Sequence, residues 1–317
     1  MHTAMSETTG TTDISALRIA LIGFGEVGGI FGAALAERGV AALTAYDILL
    51  DDPACGETMR AKAARAHVAL AASARAAVAD ADVVVSAVTA SATLAAAESI
   101  AAGVRRDAIV LDINSASPGT KAASAAVVAA GGGRYVEAAV MTSVPPHGLR
   151  TPMLLGGPHA RAAAPVLAAL GFAATPASDE YGVASAIKMC RSVIVKGMEA
   201  IVIESFLTAR RYGVEREVLA SLAETFPGIE WEKQGTWFWQ RVVQHGRRRV
   251  EEMRESAVTV REAGIEPTMA TAIADRQATV AALAAGGAFA GVTAEAGWRD
   301  LADCVPRSDA PEAKSRR

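Results

Sequence analysis

The sequence predicts a doubly wound α/β domain, with a parallel sheet covered by helices on both faces, followed by an all-α C-terminal domain. Three observations carry this. Short β-branched runs alternate with helix-forming segments through the first half of the chain. From Glu180 the strand punctuation stops, and YGVASAIKMCRSVIVKGMEAIVIESFLTARRYG reads as one long helix ending at Gly213. At 317 residues the chain is also long for a single core.

LRIALIG (17–23) is a buried-strand pattern that ends at glycine, and helical character follows from Gly25 to Arg38. LTAYD (43–47) is a second strand, followed by a helix rich in Ala, Arg and Lys over Gly56–Ala66. HVALAAS, DVVVSAV (82–88), AIVLDIN (108–114) and YVEAAVM (135–141) continue the sheet, and PMLLGG (152–157) closes it. The expected organisation is a loose N-terminus over 1–16, the α/β domain over 17–179, a helical substrate and dimerisation domain over 180–304, and a polar, proline-containing tail over 305–317. Within the helical domain FPG (226–228) and EPT (266–268) are breaks. The long helix carries apolar residues around most of its circumference, among them Val183, Ile187, Val193, Ile194, Met198, Ile201 and Phe206. Such a helix must be covered, inside its domain or by a second subunit, and a homodimer is expected.

Composition excludes several classes. The formal charge is −3, so no basic excess exists to neutralise a nucleic-acid backbone. Cys55, Cys190 and Cys304 are scattered, with no metal-ligand spacing, and reduced thiols in the cytoplasm are the expectation. The first sixteen residues lack the apolar core of a signal peptide. The most apolar stretch, 187–207, is interrupted by Lys188, Arg191, Lys196, Glu199 and Glu204, so no membrane span is expected.

GFGEVG, residues Gly23, Phe24, Gly25, Glu26, Val27 and Gly28, lies between the first strand and its helix. The first glycine permits the tight turn, the second lets backbone approach a pyrophosphate, and the third brings helix and strand together. The phosphates of a dinucleotide would meet free N–H groups at the helix N-terminus. Asp47 ends the second strand about twenty residues further on, where a carboxylate accepts from ribose hydroxyls and repels a 2′-phosphate. No Arg or Lys follows in DILLDDP, which favours NAD over NADP. Val88 and Thr89, at the end of another strand, should pass near the cofactor.

GFGEVG, DINSASP (112–118), PMLLGGP (152–158) and SAIKMCRS (185–192) together resemble the β-hydroxyacid dehydrogenases, which include 3-hydroxyisobutyrate and 6-phosphogluconate dehydrogenases. The resemblance runs in order to the end of the long helix and is only architectural beyond it, as in a divergent branch with its own C-terminal domain. It implies a Rossmann domain joined to a helical one, an alcohol–carbonyl oxidoreductase and an acidic substrate. It also implies that Lys188 is the catalytic acid/base, and that Asn114 and Ser115 form the polar pair near substrate and nicotinamide. Read alone, Lys188 in an apolar helix can equally be a stem covering apolar surface with a wet ammonium, and NSASP is a helix start with Ser117 as N-cap and Pro118 first.

Two departures from the family stand out. Its asparagine four residues after the lysine is Ser192 here, which offers one donor where an amide offers two. Its serine–glycine–glycine substrate cradle is replaced by Met141, Thr142 and Ser143, with prolines following. Thr142, Ser143 and Ser192 therefore join the candidate substrate contacts. Trp231, Trp237 and Trp239 either floor a pocket or pack helices together, and Arg247 or Arg248 is a candidate anion clamp. Two alternative functions are C=N reduction, as in imine reductases of similar architecture, and NAD(P) sensing without catalysis.

Overall fold

The computed structural model describes residues 12–293 and 295–307. Within the stretch expected to be loose, Ile14–Ala16 form one 3-10 turn capped by Asp13; residues 1–11 lie outside the described residues. Of the expected tail, 308–317 likewise lie outside them.

The chain divides into two compact units within the long helix, between Cys190 and Arg191, and Arg261–Ile265 return to the first unit. Sequence reading places this division at 179/180. The correction has a physical cause. The first turns of the helix are bonded to the sheet, where the buried carboxylate of Glu137 accepts from Gly182 N and Ser185 N.

The first unit is an eight-stranded sheet. Its strands are β1 (Arg18–Ile22), β2 (Ala42–Tyr46), β3 (Ala69–Leu70), β4 (Val83–Ser86), β5 (Ile109–Asp112), β6 (Arg134–Val140), β7 (Met153–Gly156) and β8 (Ala174–Ser178). Their order is β3-β2-β1-β4-β5-β6-β7-β8, parallel except for β6 against β7. The expected all-parallel series breaks there because only a 3-10 turn, Gly148–Arg150, and no α-helix lies between Val140 and Met153 to carry a crossover. β8 is an addition to the predicted set.

Strand residues alternate between two apolar layers, as a doubly covered sheet requires. Ile19 and Leu21 pack with α1 (Glu26–Glu37), α2 (Gly56–Arg65) and α6 (Ala160–Ala169) through Phe31, Leu35, Met59 and Leu167. Ala20 and Ile22 pack with α3 (Ala74–Val78), α4 (Thr93–Ala101) and α5 (Pro118–Ala130) through Val78, Ile100 and Val128. Burying one such aliphatic side chain contributes about 1.5–3 kcal/mol.

The second unit is helical. It takes most of α7 (Val183–Tyr212), then α8 (Glu215–Thr225), α9 (Trp231–Glu262) except its last residues, α10 (Thr268–Ala285) and α11 (Trp298–Asp303). Its main core joins Ile203 and Phe206 to Phe238, Trp239, Val242, Trp298 and Leu301. Trp231 and Trp239 are thus packing residues, whereas Trp237 is exposed. Within one chain α7 is not covered all round. Ile187, Ile194 and Ile201 are 44%, 66% and 58% exposed, and their spacing of about seven residues sets them on one face. Among the described residues no helix is long and apolar enough to cross a membrane.

Candidate active site

β1 delivers the chain to Gly23, whose φ of +92° suits glycine and whose Cβ, if present, would strike the carbonyl of Ala87 at the end of β4. Gly28 is as constrained, since a side chain there would run into the Gly23 carbonyl. Gly25 differs, because among the described residues nothing stands within 4 Å of where its Cβ would be. It is also the N-cap of α1, and as glycine it makes no side-chain cap bond to the first-turn N–H groups. The loop therefore closes tightly on its own side and opens on the other, the shape that a pyrophosphate against backbone amides requires. Glu26 and Val27 lie in that first turn. The residues present fit a dinucleotide.

Asp47 follows β2, and its carboxylate accepts from Phe24 N at 2.7 Å and from Leu49 N at 2.9 Å. It thus ties the glycine loop to the neighbouring strand end, a role the sequence does not reveal. A carboxylate has about four acceptor sites, so capacity remains for ribose hydroxyls.

On the other side of β1, β4 ends at Ser86, and Val88 and exposed Thr89 follow it. Val88 N donates to Asn114 Oδ1 at 2.7 Å, and Asn114 Nδ2 donates to Ser86 Oγ at 3.0 Å. Asn114 is 3% exposed. Expected as a substrate contact, it also binds the ends of β4 and β5 together through both ends of its amide. Ser115, beside it, is half-buried.

Beneath this turn lies a buried network. Asp112 receives Lys121 Nζ at 2.9 Å, Tyr135 OH at 2.6 Å and Asn114 N at 2.9 Å. Burial and the adjacent Asp112 push the Tyr135 phenol well above the ordinary tyrosine value. Ser117 caps α5 with Pro118 in the first helical position, as sequence reading expects, and Glu262 braces this start through Ser117 Oγ and Gly119 N, both at 3.0 Å.

Lys188 comes to the same place from α7. Its Nζ donates to Ser115 Oγ at 2.6 Å, and the side chain is half-buried. The anchor for this approach is Glu137, fully buried on β6 and invisible to motif reading because its partners lie 45 and 48 residues away. The glycines of PMLLGGP serve it. A Cβ on Gly156 would stand 2.8 Å from Glu137 Cγ, and one on Gly157 would strike the ring of Tyr181.

Other candidates are spread more widely. Thr142 is exposed and Ser143 half-buried in the segment after β6. Ser192 is 7% exposed on α7, four residues beyond Lys188 and in the second unit. Arg247 and Arg248 are exposed. Arg249 is instead the buried member and pairs with fully buried Glu199. Nearby, Lys196 Nζ meets Glu252 Oε2 at 2.8 Å. Burial pushes the Glu199 carboxyl up, against the opposing pull of Arg249 and Arg241. Among the described residues no group of three or more His, Cys, Asp or Glu side chains is placed to hold a metal.

A glycine loop at β1, an acidic residue after β2 and a strand order that turns outward from β1 define a dinucleotide-binding domain of the Rossmann class. Residues 18–177 match the NAD-binding domain of 6-phosphogluconate dehydrogenase, and residues 209–280 match a domain of unknown function, DUF1932. The chain belongs to the β-hydroxyacid dehydrogenase family, in a branch with its own helical C-terminal domain.

A conserved hypothetical protein from Sinorhizobium meliloti 1021 is 38% identical, over 93% of this chain and 96% of that one, with a TM-score of 0.72. The conserved protein MTH1747, of unknown function and described as structurally similar to 3-hydroxyacid dehydrogenases, is 30% identical over 84% and 99%, with a TM-score of 0.64. Mycobacterium tuberculosis 3-hydroxyisobutyrate dehydrogenase, with L-serine, shares the fold at 20% identity over 91% and 98%, with a TM-score of 0.67. No curated protein matches the chain significantly.

Proposed function

We propose that this protein is an NAD-dependent oxidoreductase that interconverts an alcohol and a carbonyl on an acidic substrate, bulky ones included, with Lys188 as the proton relay. The observation that carries the reading is the hydrogen bond from Lys188 to Ser115, at the carboxyl end of β5 in the sheet whose β1 end carries the glycine loop. Ligands of such sheets bind outside the carboxyl ends of the strands. The dinucleotide, when bound, supplies or accepts a hydride.

The chain's own residues do the rest. The open edge of Gly25 and the first-turn amides hold phosphate. Asp47 selects a ribose carrying free hydroxyls. Lys188 Nζ takes the proton of the substrate hydroxyl during oxidation and returns it during reduction, and Ser115 holds the amine on line. Thr142, Ser143 and Ser192 are assigned to substrate.

In this reading the enzyme works in the cytoplasm, a setting supported by three unpaired cysteines, without nucleic-acid or membrane partners. It acts as a homodimer, which the exposed isoleucines of α7 support.

The test is a screen of β- and γ-hydroxy acids, aromatic ones included, for formation of NADH or NADPH absorbance. Oxidation of a hydroxy acid with NAD, lost in Lys188→Ala, is the expected result. Turnover of cyclic imines alone would replace this reading with C=N reduction. Dinucleotide binding without turnover of any of these compounds would replace it with a sensor.

A further inference from the structure

The fingerprint GFGEVG needs three glycines, yet a fourth, Gly29, follows directly. Its role lies across the layer, on α2. A Cβ on Gly29 would fall on Lys62 Cε, because the lysine stem crosses α1 at this point. Lys62 Nζ goes on to donate to the carbonyl of Phe24 at 2.9 Å and to that of Gly25, and lies 5.0 Å from the centre of the buried Phe24 ring. Phe24 N is already held by Asp47, so residue 24 is gripped at its N–H from β2 and at its C=O from α2. The Gly25 carbonyl also accepts the first helical bond of α1, from Gly29 N at 3.1 Å.

We propose that Lys62 is a positioning residue for the dinucleotide, and that Gly29 is glycine in order to let it through. By holding the carbonyl side of Phe24–Gly25, the ammonium fixes the loop with its amide edge turned to the opening above Gly25, where the phosphates sit. This rests on the dinucleotide reading above. Partial burial lowers the Lys62 pKa while Asp47 and Glu26 raise it, so the ammonium forgoes water for these carbonyls. A lysine near Asp47 could otherwise serve as a ligand for a 2′-phosphate. Two carbonyl contacts favour the loop role, and the two roles separate experimentally.

The experiment is fluorescence titration of NADH and NADPH with the unaltered protein, Lys62→Met, Lys62→Arg, Gly29→Ala and the Lys62→Met/Gly29→Ala double variant, each checked for folding by circular dichroism. Lys62→Met keeps the stem and is expected to weaken both dinucleotides by a similar factor of about ten, or about 1.4 kcal/mol. Lys62→Arg should recover part of the loss. Gly29→Ala should weaken binding on its own but add less than about twofold on top of Lys62→Met, because both act through one contact. If Lys62→Met does not fold, the proposal stands or falls on Gly29→Ala, which must weaken both dinucleotides, with Lys62→Ser added to it making less than about twofold further difference. Unchanged NADH binding in Lys62→Met, or fully additive effects, overturns the proposal. A loss confined to NADPH also overturns it and makes Lys62 a 2′-phosphate ligand. Failure of the unaltered protein to bind either dinucleotide overturns the functional reading together with this one.

Discussion

Lys188 Nζ and Ser115 Oγ are 2.6 Å apart, joining the second turn of a helix to the turn that leaves β5, across 73 residues of sequence. Both ends are braced. Glu137 holds the helix start through Gly182 and Ser185, and Asn114 ties the turn to β4. In the proposed function this amine transfers the proton. Lys188→Met should therefore leave the NADH dissociation constant within about twofold while lowering turnover by about 10²–10⁴-fold, the usual contribution of a general acid/base. Titration and steady-state kinetics on a substrate from the screen give the two numbers.

Asp47 braces Phe24 N, and in the proposed function it also faces the ribose. Asp47→Ser should weaken NADH binding by about tenfold, in line with loss of a charge-assisted hydrogen bond. It should also shift preference toward NADPH, whose 2′-phosphate no longer meets a carboxylate. Parallel titrations with both dinucleotides check this, and an unchanged preference would remove Asp47 from the selection.

The Lys121–Asp112 pair is 1% and 3% exposed and sits directly under Asn114. Lys121→Met leaves the Asp112 carboxylate buried with only its Tyr135 and backbone donors. The expected cost is about 3–5 kcal/mol of unfolding free energy, read from urea denaturation.

Tyr135 provides a pH signature. Its phenol is raised above the ordinary value of about 10, so above that pH the folded chain retains a proton that the unfolded chain has lost. Stability is therefore lost as pH rises through and beyond 10. In an alkaline absorbance titration one tyrosine should ionise only on unfolding, and Tyr135→Phe should abolish that step.

Ile187, Ile194 and Ile201 form an exposed stripe on α7. Covering what remains exposed of three isoleucines contributes a few kcal/mol to association, about half of the 1.5–3 kcal/mol of a fully buried side chain for each. The unaltered protein should be a dimer by light scattering, and Ile194→Asp with Ile201→Asp should be a monomer with its circular dichroism intact.

Much of this was legible in the sequence because it is local. GFGEVG, Asp47 and the helix start at Ser117–Pro118 are each set by a few consecutive residues, and the strand runs are buried on both faces. What escaped depends on distant partners. ATPAS at β8 has no apolar run and alternates half-buried with exposed positions at a sheet edge. Glu137 looks like any strand residue until α7 returns to it. Lys62 reads as one cation on a polar helix, and only the surplus Gly29 hints that a side chain must pass there. The bond from Asn114 to Ser86 was not legible either, because a polar residue at a strand end reads the same whether or not its amide also ties two strands together.

The most direct test is a crystal structure with NADH bound. It should place the pyrophosphate against the amides that follow Gly25, the adenosine ribose on Asp47, and the nicotinamide beside the Lys188–Ser115 pair. A dinucleotide bound away from the glycine loop, or a nicotinamide far from the Lys188 amine, would contradict the account.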